Sequence, residues 1–173
     1  MKVTGYRIQH ALRELEASRE LAHQQFTENV MQFESQEDKL ELPEVFARFT
    51  TLERKIAKLQ IQQATYNLAV QVEVLGSTMS LHEAVKLVGG AGRAEKMWRD
   101  VVKGNASKSN RYSYGSETRS KDQEYAKRSI SVSDALGHAK LASKTAGALR
   151  QAIQVGNATE VELEGLDPAL LES

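Results

Sequence analysis

Residues 42–73 read LPEVFARFTTLERKIAKLQIQQATYNLAVQVE, and side chains recur in this stretch at intervals of three and four positions. The repeat is apolar apart from one glutamine, and its members are Leu42, Val45, Phe49, Leu52, Ile56, Leu59, Gln63, Tyr66 and Val70. An average interval of 3.5 residues keeps the stripe on one face only if the helix winds around a partner, as in a left-handed coiled coil. The stretch therefore predicts a long helix that pairs with another helix, and an all-α fold.

The partner helix is predicted just before it, because apolar residues recur at helical spacing from Thr4 to about Phe33, with Thr4 available as N-cap. The polar connection 34–41 is short, and Pro43 suits the first turn of the second helix. A short connection between two long helices favours a long antiparallel, coiled-coil-like hairpin, which we place at residues 4–75.

The remainder of the chain divides into four further segments of the single helical domain 1–173. The capping-box residues Ser80 and Glu83 start a third helix, and the glycines of Gly89-Gly90-Ala91-Gly92 predict a kink, break or close backbone approach within it. The last helix is predicted to end at Gly156. Its inward side chains are expected to be Leu136, Leu141, Ala148, Leu149 and Ile153. The four segments are 80–103 (third helix), 104–130 (long polar loop), 131–156 (last helix) and 157–173 (acidic tail, with a short strand conceivable at 160–163).

Composition limits the classes of function. Lys plus Arg (23) equal Asp plus Glu (23), so no overall field recruits nucleic acid or an anionic membrane surface. The chain contains no cysteine, which rules out disulfides and thiolate zinc sites, and it begins without an apolar signal segment. The expectation is a cytoplasmic protein with no membrane and no nucleic-acid partner.

The segment between Lys103 and Arg128 is the strongest candidate for a binding site. It carries seven basic and three acidic side chains, a local excess of +4. Guanidinium groups pair bidentately with phosphate, tyrosine rings stack on aromatic ligands, and serine hydroxyls donate hydrogen bonds. The predicted ligand-binding residues are Arg111, Tyr112, Ser113, Ser116, Glu117 and Arg119. The alternative is a solvated loop whose charges have no ligand.

Other constellations give no support for catalysis, a metal or a cofactor. The glycine run lacks both G-x-G-x-x-G and P-loop spacing, since Glu95 stands at the third glycine position. The four histidines lack metal-ligand spacing, and no serine lies in G-x-S-x-G. Gln60, Gln63 and Asn67 interrupt the stripe of the second helix, where polar residues usually set helix alignment. We expect no catalytic residue, metal or cofactor.

Four segments in this order resemble a family of small helical proteins of bacteria and phages, some of them labelled septicolysin. The residues are Leu52-Glu53-x-x-Ile56-Ala57-x-Leu59 with Ala64 and Leu68; Ser80-Leu81-x-Glu83-Ala84; Arg111-Tyr112-Ser113 with Ser116-Glu117; and Leu149-x-x-x-Ile153-Gln154-x-x-Asn157-x-x-x-Glu160-Val161-x-Leu163. The chain departs from the family at Gln60, Gln63, the glycine run and Ala158. The resemblance implies a helical hairpin with further helices packed on it in a homo-oligomer, and it implies no established activity.

Three functions follow as hypotheses. The first is a non-enzymatic homo-oligomer that holds or sequesters a small anionic, nucleotide-like signalling ligand at subunit junctions, by analogy with phage proteins that sequester nucleotide immune signals. The second is a structural or adaptor coiled-coil protein without a small-molecule ligand. The third and weakest is an enzyme that acts on such a ligand, with Glu117 or His138 as base.

Overall fold

The structure is a computed structural model, and it describes residues 1–31, 40–104 and 129–172. Four α-helices make up most of it: α1 (Gly5–Glu28), α2 (Leu42–Ala69), α3 (Leu81–Val102) and α4 (Val132–Ala158). Short strands flank the helices: β1 (Lys2–Thr4), β2 (Gln71–Val74), β3 (Ser77–Ser80) and β4 (Glu160–Glu162). A 3₁₀-helix at Pro168–Leu170 follows. The predicted all-α fold is confirmed.

The helices pack as two hairpins, α1 against α2 and α3 against α4. The predicted N-caps Thr4 and Ser80 are confirmed, and Ser131 caps α4. In each case the hydroxyl accepts a backbone N–H three residues further on: Thr4 from Arg7, Ser80 from Glu83 and Ser131 from Asp134. Each cap satisfies a donor that the first helical turn leaves without a partner. The packing of α1 against α2 shows that the predicted antiparallel hairpin of the first two helices is present.

The second helix ends earlier than predicted, so the hairpin does not reach residue 75. From Val70 to Val74 buried and exposed side chains alternate, which is the period of a strand rather than a helix. β2 and β3 pair antiparallel around Leu75 and Gly76, whose φ angles of 53° and 84° are those of a tight hairpin turn. The predicted helix break at Gly76 is thus the turn of a β-hairpin.

Of the kink, break or close backbone approach predicted at the glycine run, the break and the close approach are wrong. α3 is continuous from Leu81 to Val102. A Cβ added at Gly89 or Gly92 would meet only the ends of arginine side chains, at 3.6 Å and 3.7 Å, and one added at Gly90 would meet nothing within 4 Å. Each interior glycine costs only about 0.5–1 kcal/mol relative to alanine, and packing on α4 compensates for it.

The inward face of α4 also differs from the prediction. Leu136 and Leu141 are 43% and 62% exposed. The buried residues are mostly small: Ala135, Ala139, Ala146, Leu149, Ala152, Gly156 and Asn157. Small side chains let two helices approach closely, so here hydrophobic size is a poor guide to the buried face.

The helix does not stop at Gly156, which lies inside its last turn. A Cβ there would lie 2.8 Å from Val72 Cγ1 and 2.9 Å from Leu81 Cδ1. Glycine is therefore required by close packing rather than by a helix end. In the acidic tail, the strand considered at 160–163 is present as β4, which pairs with β1. Three leucines beyond it are buried, which are Leu163, Leu166 and Leu170.

All four helices meet at one end of the molecule, which we call the base. It contains the first residues of α1 and α3 and the last residues of α2 and α4. The Tyr66 hydroxyl lies 2.6 Å from the carbonyl oxygens of both Gly156 and Thr159, and Gln9 donates to Asn157 Oδ1 at 3.1 Å. Burial raises the pKa of Tyr66, although the Gly5 backbone hydrogen bond acts against it.

The main hydrophobic core runs along the α1–α2 hairpin and through the base. From the second hairpin it takes side chains only from the half nearest the base, which are Leu81, Ala84, Val88, Ala91, Ala148, Leu149, Ala152 and Ile153. The other half of the second hairpin, residues 92–104 and 129–147, is called the α3–α4 arm below. Its buried alanines, Ala135, Ala139 and Ala146, lie outside that core.

Candidate anion-binding site

The predicted ligand-binding residues, Arg111, Tyr112, Ser113, Ser116, Glu117 and Arg119, all lie outside the described residues. What the structure describes is where their segment joins the fold. α3 ends at Val102 and α4 begins at Val132, so Gly104 and Ser129 both lie at the end of the α3–α4 arm that is remote from the base. The α3–α4 arm is therefore the described part of the protein that connects directly to the predicted binding segment.

The neutral chain divides into two parts of opposite charge. Residues 86–150 contain fourteen Lys or Arg and six Asp or Glu, a net charge of +8, and the rest of the chain carries −8. At the base, residues 70–85 and 159–172 contribute seven carboxylates and no Lys or Arg. The Debye length is only about 8 Å at physiological salt, so charges further apart than this hardly interact. Acidic residues at one end of a helix therefore do not neutralise basic residues at the other end.

A carboxylate in the arm holds two of these arginines. Glu95 is only 9% exposed, on the face of α3 that packs against α4. Its Oε1 accepts hydrogen bonds from Arg99 Nη2 at 2.6 Å and from the Ser143 hydroxyl at 3.0 Å. Its Oε2 accepts one from Arg150 Nη2 at 3.3 Å.

These contacts keep Glu95 ionised. The hydrogen bond from Ser143 is the largest influence, and together with Arg150 and Arg99 it lowers the pKa of Glu95 despite partial desolvation. The side chains of Arg99 and Arg150 are both more than half exposed. One carboxylate therefore fixes two arginine side chains that remain largely exposed, an arrangement that can accept an anion.

Aromatic and imidazole rings lie next to this cluster. The Trp98 and His138 rings stack with centroids 4.4 Å apart and an interplanar angle of 18°. The stack joins α3 to α4 beyond Glu95. It also places His138, which is exposed, against the Trp98 ring.

The Glu95 cluster was not predicted from the sequence. Glu95 was noted only because it departs from a glycine motif. It occupies a repeat of buried and half-buried positions, which are Leu81, Ala84, Val88, Ala91, Glu95 and Trp98. A charged residue at such a position, with an arginine four residues on, was the available signal. Within the described ranges, no group of three His, Asp or Glu side chains could hold a metal ion. Nor is any helix described here long and apolar enough to cross a membrane.

Comparisons with known proteins give a fold and no function. The sequence matches no protein-family model and no curated protein sequence. The structure is similar to the crystal structure of a functionally unknown conserved protein from Corynebacterium diphtheriae, with a TM-score of 0.68 and 15% sequence identity. The match covers 94% of this chain and 100% of that one. At this identity the similarity concerns the fold alone, and the septicolysin resemblance stays a prediction.

Proposed function

We propose that the protein is a non-enzymatic homo-oligomer that holds a small anionic, nucleotide-like ligand on the α3–α4 hairpin and the segment joining its helices. The observation that carries this proposal is the charge separation, with +8 on residues 86–150 and −8 on the rest. A concentrated field of one sign attracts ligands of the other sign and accelerates their binding. Sequestration of a nucleotide signal is the use that best suits a binding protein without a catalytic group.

The proposed ligand contacts divide by chemistry. Arg111 and Arg119 would pair with phosphate oxygens, Tyr112 would stack on a base, and Ser113 and Ser116 would donate hydrogen bonds. Glu117 would accept a hydrogen bond from a base or sugar. Because the segment joins the fold at Gly104 and Ser129, the exposed side chains of Arg99 and Arg150 on the same hairpin support a phosphate subsite.

Native mass spectrometry of the purified protein tests for a retained ligand, and calorimetry with a panel of nucleotides tests affinity. We expect Arg111→Ala to weaken binding, because a hydrogen bond to a charged group is worth roughly 1.5–3 kcal/mol. This loss should shrink as salt is added, whereas the loss caused by Tyr112→Ala should be less sensitive to salt. Both variants should keep the parent's helicity.

The matched control is Arg54→Ala, which removes an exposed arginine from α2 in the other hairpin. It should bind nucleotide as the parent does. If no nucleotide binds the parent, or if Arg111→Ala and Tyr112→Ala both bind as tightly as it does, the segment is not the site. Turnover of a bound nucleotide would instead indicate an enzyme.

A structural or adaptor function is the second candidate, and exposed apolar side chains favour it. Phe46, Ile61 and Leu68 of α2 are all more than half exposed. Exposed apolar side chains that form one contiguous patch mark surfaces that bind other proteins. An empty protein in native mass spectrometry, together with no response to any nucleotide, would favour this function.

A further inference from the structure

α4 carries a second stripe, apolar apart from one threonine, in addition to the one that packs on α3. Its members, which we call the α4 strip, recur at intervals of four and three residues: Leu141, Thr145, Ala148, Ala152 and Val155. The two ends of the strip are solvent-exposed, Leu141 by 62% and Val155 by 61%. Between them Thr145 and Ala148 are half-buried, and Ala152 is buried in the core described above. A stripe with this spacing has the form that packs against another helix.

One end of the strip forms a wall of a groove. The β2–β3 hairpin lies beside α4, and an open groove of about 470 Å³ runs between them. Its walls are Val72, Glu73 and Leu75 on the hairpin side and Ala148, Ala152 and Val155 on the α4 side. Gln71, Gly76 and Gln151 complete its lining, so the groove is only partly apolar. It is open to solvent, and Glu73 gives it one negative charge.

The two ends of the strip are equidistant from Ala148. Leu141 and Val155 lie seven residues before and after Ala148, so a two-fold axis at Ala148 would bring Leu141 of one protomer to Val155 of the partner subunit. A small residue at the axis lets the two helix backbones approach closely. An isologous contact of this kind closes as a dimer.

The charges select the antiparallel orientation of such a pair. At the base, the seven carboxylates of residues 70–85 and 159–172 outnumber Lys2 and Arg7, and the α3–α4 arm carries six basic and three acidic side chains. A parallel pair would place arm on arm and base on base, whereas an antiparallel pair places each arm beside the partner's base. Lys140 and Lys144 would then lie near the groove that contains Glu73. Charge complementarity of this kind fixes orientation more than affinity.

We propose that a second copy of the chain docks antiparallel on the α4 strip, with Leu141 of each protomer seated in the groove between Leu75 and Val155 of its partner. This inference rests on the homo-oligomeric part of the proposed function and not on the ligand. The mass of ligand-free protein tests the dimer, and calorimetry tests ligand binding. Either can therefore fail while the other holds.

The first experiment measures the molar mass of the full chain by light scattering at micromolar concentration. The parent should be a dimer, and Leu141→Glu should shift it to a monomer with an unchanged circular dichroism spectrum, since the side chain is exposed. Ile61→Glu is the matched control, because Ile61 is 66% exposed but lies on α2. A monomeric parent, a dimeric Leu141→Glu variant or a monomeric Ile61→Glu variant would overturn the proposal.

The second experiment uses the absence of cysteine from the chain. Ala148→Cys places one thiol at the proposed two-fold axis, where Cα atoms must come within about 7 Å for a disulfide to form. Mild oxidation should link this variant into a covalent dimer. Ala57→Cys, on an exposed position of α2, should stay a single chain. No crosslink at Ala148, or an equal crosslink at Ala57, contradicts the proposed axis.

Charge reversal tests the orientation. Lys144→Glu and Glu73→Lys should each weaken the dimer, by about tenfold in dissociation constant if each reversal costs roughly 1.4 kcal/mol. The double variant should recover most of the loss. A double variant that is as weak as the two single losses combined would exclude the antiparallel pair.

Discussion

The two helical hairpins are held together by different kinds of side chain. The α1–α2 hairpin buries large apolar residues along its length, among them Ile8, Leu15, Leu52, Ile56 and Leu59. The α3–α4 arm buries alanines and one glutamate. Because the free energy of burial grows with apolar area, the first hairpin is expected to hold most of the stability. The arm depends on the close approach of its helices and on hydrogen bonds, and it is expected to open first.

The largest loss of stability is expected when a charge is placed among the buried apolar residues between α1 and α2. Ile56 is 3% exposed, so Ile56→Asp buries a carboxylate without a partner. We expect a loss of about 4–5 kcal/mol in the free energy of unfolding, at the upper end for single substitutions. Chemical denaturation measures it.

Ile61→Asp, an exposed position on the same helix, is the control and should stay within about 0.5 kcal/mol of the parent. If Ile56→Asp were as stable as the parent, the apolar seam would not be the source of stability.

A second prediction concerns the base, where the hairpins join. Tyr66→Phe removes the hydroxyl that contacts the Gly156 and Thr159 carbonyl groups. We expect the free energy of unfolding to fall by about 1–3 kcal/mol, which is the cost of leaving a buried polar group unpaired. Tyr6→Phe, at an exposed position, should change little. Denaturation of both variants tests this difference.

The same variant has a defined pH dependence. The pKa of Tyr66 is raised from 10.0, chiefly by burial. The folded state therefore holds the phenolic proton more tightly than the unfolded chain does. This stabilisation is complete below about pH 10 and is lost as the pH rises through the folded-state pKa. The difference in the free energy of unfolding between the parent and Tyr66→Phe should therefore become smaller in that pH range. A difference that grew there would contradict a raised pKa for Tyr66.

The contrast between the hairpins also explains what the sequence could and could not predict. The first hairpin was predictable because Leu52, Ile56 and Leu59 are large, apolar and regularly spaced. The face of α4 was not, because alanine carries little hydrophobic signal and the larger Leu136 and Leu141 lie on other faces. β2 was taken for helix because Val70 also continues the 3.5-residue repeat.

The proposed ligand site was predicted from side-chain chemistry rather than from hydrophobic spacing. Its residues lie between 105 and 128, outside the described residues, so the site stays a prediction. Glu95 was overlooked because a charged residue is usually solvent-exposed. Only the positions of Ser143 and Arg150 on α4, 48 and 55 residues away, show why it is buried.

The smallest predicted effect is on the α3–α4 arm and comes from the charge of Glu95. Glu95→Gln should lower the melting temperature modestly at neutral pH, because Ser143, Arg99 and Arg150 lose a charged acceptor while both arginine side chains remain partly solvated. Hydrogen exchange should place the change in the α3–α4 arm. Glu53→Gln is the control. Glu53 contacts Arg19 at 3.4 Å on the surface of the first hairpin, and its loss should have no measurable effect.

The pH dependence identifies the cause. The pKa of Glu95 is lowered from 4.5, first by the Ser143 hydrogen bond and then by the two arginines. Its stabilisation is therefore present above about pH 4.5 and is lost as the pH falls through the folded-state pKa. Melting curves of parent and Glu95→Gln should differ at pH 7 and converge in acid. Equal curves at pH 7, or a difference that persists at about pH 2, would show that the arm does not depend on the Glu95 charge.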